Sequence, residues 1–112
     1  MRGRPLTIKN RVSDEVIASG DAPLRFEGNY YFDEEDVDME QLEVTQRIYT
    51  CWYKGRCFWV DLKKKDGSVQ QNVAWIYREP SPGYEQIKDK IGFSSFSQGD
   101  LVVESSEFVP GD

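Results

Sequence analysis

The chain predicts a mainly β fold: a single small domain built on an antiparallel, meander or barrel-like sheet, with one short helix near the C-terminal third. Two observations carry most of that prediction. Between Arg47 and Tyr77 three apolar segments are joined by two short turns, Lys54-Gly55 and Asp66-Gly67. Asp-Gly between alternating runs is a strong hairpin signal, because both central positions of a type I′ turn need positive φ. Lys54-Gly55 is a weaker version of it. The third observation is a helical spacing, Tyr84, Ile87 and Ile91, after Ser81-Pro82. Serine suits an N-cap and proline the first helical position.

Length and charge bound the rest. At 112 residues, 38% hydrophobic and 13% aromatic, the chain suits one domain with an aromatic-rich core, burying roughly two thirds of its unfolded surface. With 20 acidic against 14 basic residues the net charge is −6. That sign repels phosphate backbones, so neither nucleic acid nor an anionic membrane is an expected partner. No run approaches the ~20 apolar residues of a membrane span. The first ten residues, MRGRPLTIKN, lack the apolar middle of a secretory signal, and the expected location is cytoplasmic.

Taken in order, residues 1–7 read as a flexible tail, 8–104 as the domain and 105–112 as a second tail. Ile8 to Val12, Val16 to Ser19 and Leu24 to Glu27 read as short strands separated by turn residues. Phe32 to Glu43 holds seven carboxylates and reads as a solvated loop with a helical turn. It fails as an EF-hand, because a loop starting at Asp36 has Gln41 where glycine is needed and Arg47 where the bidentate glutamate is needed. In the central meander, two-residue turns would set Phe58 and Val60 beside Tyr49, Cys51, Val73 and Trp75. Cys57, Trp59, Ala74 and Ile76 would then share the other face. Both faces are apolar, so the sheet is covered on both sides or curled into a small barrel. Lys63-Lys64-Lys65 reads as a solubilising hairpin end. The helix is expected over about ten residues from Ser81 to Ile91, stopped by Gly92, with closing strands at Phe93 to Phe96 and Leu101 to Glu104.

The chain has no histidine, which excludes His-based triads and His-containing metal sites. Cys51 and Cys57 do not complete a four-thiolate zinc cage. They read as buried free thiols, pointing to opposite faces in the expected register. No metal and no cofactor are expected.

Several segments together resemble the bacterial family called domain of unknown function 427, sometimes labelled nucleotidyltransferase-like. They are Glu27-Gly28-Asn29-Tyr30-Tyr31-Phe32, Glu35-Asp36-Val37, Thr50-Cys51-Trp52-Tyr53-Lys54-Gly55, Ala74-Trp75 with Tyr77 and Pro80, and Ile87 to Phe93. The resemblance spans roughly Arg11 to Val103 and implies a compact, mainly β domain with one helix and no established reaction. This chain departs from the family pattern at Trp52, where proline is usual, and at Ser94, where an aromatic is common.

Within those segments Thr50, Lys54, Tyr31, Trp75 and Tyr77 form the candidate site, with Glu27 as a partner for Lys54 or a base. Lysine neutralises a phosphate or carboxylate, hydroxyls orient it, and an indole offers a stacking face. The plain alternative is an exposed turn lysine beside core aromatics. Neither a Gly-rich phosphate loop nor paired metal-binding aspartates are evident. A small anionic, nucleotide-like or carboxylate ligand therefore leads. A protein interaction module using the acidic surface and a nucleotidyl or phosphoryl transferase stand as alternatives, the expected state being a monomer or weak homodimer.

Overall fold

The structure, a computed structural model, describes residues 6–20, 23–94 and 99–105. Among them, β1 (Leu6–Asn10), β2 (Val16–Gly20) and β9 (Leu101–Ser105) form a three-stranded sheet in the order β2-β1-β9. The other six make a second antiparallel sheet: β3 (Leu24–Phe26), β4 (Asn29–Phe32), β5 (Leu42–Cys51), β6 (Gly55–Lys63), β7 (Val69–Pro80) and β8 (Ile91–Ser94). Its order is β3-β4-β8-β7-β6-β5, an open sheet rather than a closed barrel. The main core lies between the two sheets. Leu6, Ile8 and Ile17 come from the small sheet, and Phe32, Val60, Ile76 and Phe93 from the large one. Each such buried side chain contributes about 1.5–3 kcal/mol.

The meander forms as expected, but in a different register. The first connection is a three-residue loop, Trp52 to Lys54, that pairs Cys51 with Gly55. Gly55 takes φ +105°, a conformation open to glycine. Tyr49 therefore faces Cys57 and Ile48 faces Phe58, the reverse of the expected parity. Trp75 pairs with Trp59, not Phe58, while Phe58 and Val60 face Ile76 and Ala74. Since side chains alternate with period two, the shift exchanges faces. Cys51 and Cys57 consequently share one face, and both are free thiols.

Three irregularities shift the register further along the strands, and in one of them residues 77–78 of β7 lie opposite Cys57. Residues 45–47 of β5 bulge opposite Trp59, and 71–73 of β7 bulge opposite Asp61. Buried Asp61 gathers both, accepting from the Asn72 N–H at 3.0 Å and from the Arg47 guanidinium. Thr45 donates to the Trp59 carbonyl at 2.7 Å. A buried carboxylate is tolerable only when paired and hydrogen-bonded in this way.

Three further differences matter. β1 starts at Leu6, which is buried and paired, so Leu6 and Thr7 belong to the sheet rather than to a tail. Residues 29–32 form strand β4. The ten-residue amphipathic helix is absent: Glu85–Ile87 is a single 3-10 turn, after which Asp89 takes φ +60°. Ile87 and Ile91 satisfy the helical spacing yet enter different apolar clusters. The acidic run does form a loop, with 3-10 turns at Glu34–Asp36 and Met39–Gln41. Ser95 and Phe96 of the expected closing strand and most of both expected tails lie outside the described residues.

Candidate functional site

The face of the large sheet turned away from the main core carries a second apolar cluster, Tyr31, Cys57, Tyr77 and Ile87, with Leu24, Phe26, Trp75 and Tyr84 packed against it. Aromatic rings run through it in unbroken succession: Tyr49, Trp59, Trp75, Tyr31, Phe26, Tyr84, Tyr53, Trp52. Neighbouring centroids are 5.1 to 6.4 Å apart and mostly edge-on. Edge-on is the arrangement that ring quadrupoles favour. The row starts on β5, crosses to β3 and returns through Tyr84 to the β5–β6 turn. Glycine makes the crossing feasible. Gly92 on β8 pairs with Tyr31 on one side and Trp75 on the other, and over it the Trp75 indole N–H donates to the Tyr31 hydroxyl at 3.1 Å.

Lys54 sits within this arc. Its side chain is only 11% exposed, its ammonium lies 3.2 Å from Glu27 Oε1, and the Tyr53 ring centroid is 5.5 Å away. Tyr53 donates to the same Glu27 oxygen at 3.4 Å. β3 and β5 are opposite edges of the sheet, so the sheet must curl for the β3–β4 and β5–β6 turns to meet. Glu27 itself has φ +51° and Gly28 φ +81°, forming a two-residue turn between paired Phe26 and Asn29. A left-handed glutamate costs about 1 kcal/mol or more.

Five of the six expected site residues thus meet: Glu27, Tyr31, Lys54, Trp75 and Tyr77. Thr50 does not join them. It is exposed and pairs with Arg56, on the face opposite to Tyr49 and Cys57. Sequence reasoning missed Tyr53, Tyr84, Cys57 and Gly92. Only the register separates Cys57 from an ordinary core thiol. Tyr31 also borders a cleft of about 330 Å³ with Leu24, Asp33 and Lys90, where Lys90 is paired with Asp33.

Burial holds the protons of the cluster in place. It pushes the Tyr31 phenol up, with the Trp75 N–H and the Lys54 charge pulling partly back. It also pushes up the Cys57 thiol, which the Tyr77 phenol partly offsets. Tyr77 rises through burial and then through its thiol neighbour. For Lys54, burial lowers the pKa, but Tyr31, Glu27 and Tyr53 together raise it above its ordinary value. Near neutral pH the site is a lysine cation among protonated phenols and a protonated thiol. It offers hydrogen-bond donors rather than a thiolate or phenolate nucleophile.

A stability profile follows. Unfolded thiols release their protons near pH 8.5 and phenols and amines near pH 10, whereas the folded chain keeps them longer. Above those values the folded state binds more protons, so stability falls as pH rises. The urea midpoint should be flat from about pH 6 to about pH 8 and decline from about pH 9, steepening above about pH 10. Tyr77→Phe should shallow the decline. A midpoint unchanged to about pH 11 would contradict the burial described here.

The fold and the site define a small, mainly β domain with a lysine enclosed by aromatic rings. The chain belongs to the family described as Domain of unknown function (DUF427), which it matches over residues 3–104. Comparison with curated proteins gives no match. Among the described residues no helix is long and apolar enough to cross a membrane.

Proposed function

We propose that this protein is a binding domain for a small anionic metabolite held at Lys54. The observation that carries the reading is a lysine ammonium sunk among phenols and rings, with Glu27 as its counter-ion. Burying a lysine is costly where a leucine or methionine would pack. A left-handed Glu27 adds strain at the same place, and strain of this kind concentrates at ligand sites. The donors available to an anion are the Lys54 ammonium and the Tyr31 hydroxyl, the Tyr53 hydroxyl being engaged by Glu27. The acidic-surface alternative is weakened because part of the acidic run is already committed: Asp33 pairs with Lys90, and Glu34 with Arg78 at 3.1 Å. The transferase alternative would call for a Gly-rich phosphate loop or paired metal-binding aspartates, and neither motif is evident in the sequence.

The test is a titration with small carboxylates and phosphates at millimolar concentration, followed by amide resonances. Residues 53–57 and 75–77 are expected to shift together and saturably. Lys54→Met keeps the packed stem and removes the charge. It should cost about 1.5–3 kcal/mol of binding, the range for a hydrogen bond to a charged group. If no anion moves these resonances, or if Lys54→Met binds as tightly as wild type, the interaction-module reading takes its place.

A further inference from the structure

Resting on the Lys54 reading, we infer that the ligand is a planar aromatic monocarboxylate, its carboxylate on Lys54 and its ring against Trp52 and Tyr53.

Two independent features point there. The first is charge. Glu27, 3.2 Å from the Lys54 ammonium, already neutralises it, so the pair is close to neutral overall. A dianionic phosphate would meet the Glu27 carboxylate as well as the lysine, in a protein of net charge −6. A monoanion spreads one charge over two oxygens and can take the lysine together with a tyrosine donor. Like charges a few ångströms apart in a partly desolvated site are strongly penalised, so the arrangement selects against the phosphate.

The second feature is the ring at the end of the aromatic row. Trp52 is 90% exposed and Tyr53 is 37% exposed. Their centroids are 5.1 Å apart, and Tyr53 is the ring that approaches the Lys54 ammonium. Large aromatic side chains are highly buried on average, and adjoining exposed ones mark contact surfaces. A flat ring carried one or two bonds from a carboxylate on Lys54 reaches this pair, covering indole surface that is otherwise in water. Stacking on an indole is tolerant of the ring's identity, which fixes the class rather than the compound.

Amide shifts of the full chain with five probes test the assignment: 1-naphthoate, cyclohexanecarboxylate, acetate, phenyl phosphate and 1-naphthamide. Naphthoate should shift residues 52–54 and the Trp52 indole N–H saturably. The other four should bind about tenfold or more weakly, lacking the stacked ring, the charge or the single negative charge. Trp52→Ala should weaken naphthoate by about tenfold while leaving acetate unchanged. The variant exposes no core, so unfolding is not a confounding outcome. If phenyl phosphate, acetate or cyclohexanecarboxylate binds as tightly as naphthoate, the aromatic monocarboxylate is wrong and the Lys54 site stands. Naphthamide binding equal to naphthoate overturns it too, by removing the charge from recognition. If no probe moves residues 52–57, both this inference and the Lys54 reading fall.

Discussion

Phe93→Ala is expected to lower the unfolding free energy by about 3–5 kcal/mol, the range for deleting a buried phenylalanine. Phe93 is 1% exposed on β8. Its ring meets Phe32 of β4 edge-on with centroids 5.7 Å apart, and both belong to the core between the two sheets. Truncation removes the transfer free energy of the ring and leaves a void that two hydrogen-bonded sheets cannot close. Domains of this size are stable by about 5–15 kcal/mol, so the loss is a large share of the total. Urea unfolding should show a lower midpoint with an unchanged slope, since the surface exposed on unfolding stays the same. Val12→Ala is the matched control: Val12 is 77% exposed, and its truncation should change stability by no more than about 0.5 kcal/mol. A Phe93→Ala loss below about 1 kcal/mol would mean that the sheets do not pack through this pair.

The elements that were legible in the sequence are those set by local chemistry. Asp66-Gly67 does mark a turn, with Gly67 at φ +89°, but the connection runs through residues 64–68 between paired Lys63 and Val69 rather than through two residues. The expected strands β1, β2, β3, β5, β6, β7 and β9 are present, each an apolar run bounded by turn residues. What the sequence left open depends on loop length and on contacts between distant segments. Lys54-Gly55 resembles a two-residue turn, yet the loop takes Trp52, Tyr53 and Lys54, leaving Gly55 as the paired residue. One added loop residue reverses the parity of a strand. That reversal hid the shared face of Cys51 and Cys57, whereas Thr50 lies on the face opposite Trp75 in either register. The Tyr84, Ile87, Ile91 spacing misled for a different reason. Three residues at helical intervals can equally be one buried side chain on a 3-10 turn and another at a strand start, and nothing local distinguishes them. Lys54 and Glu27 were named from the family segments. Their meeting at 3.2 Å depends on the curl of a six-stranded sheet, which no local window reports.

Gly92→Ala should destabilise the protein by about 2–4 kcal/mol, combining the strain of an overpacked site with a lost hydrogen bond. The sign is the informative part. At an unstrained position, replacing glycine by alanine stabilises by about 0.4–1 kcal/mol through the unfolded chain, and Gly92 has an ordinary strand conformation. Here, however, a Cβ would lie 2.3 Å from Trp75 Nε1 and 2.8 Å from Tyr31 Cε2. Tyr31 and Trp75 flank Gly92 on the two neighbouring strands and lean over it to make their hydrogen bond, as aromatic residues do over glycine in curved sheets. A methyl group must push them apart. Because the aromatic row passes through this contact, the change should propagate to the Tyr31 hydroxyl beside Lys54. Urea unfolding gives the stability, and the Trp75 indole N–H resonance gives the contact, which should move in Gly92→Ala and in Tyr31→Phe. Adding Gly92→Ala to Tyr31→Phe should cost less than the same change in wild type, since the hydrogen bond is already gone. Anion binding at Lys54 should weaken in Gly92→Ala and remain intact in a variant of similar stability loss made in the main core, such as Val60→Ala. An alanine at position 92 that leaves stability unchanged or raises it would show that Tyr31 and Trp75 are not held together over this strand.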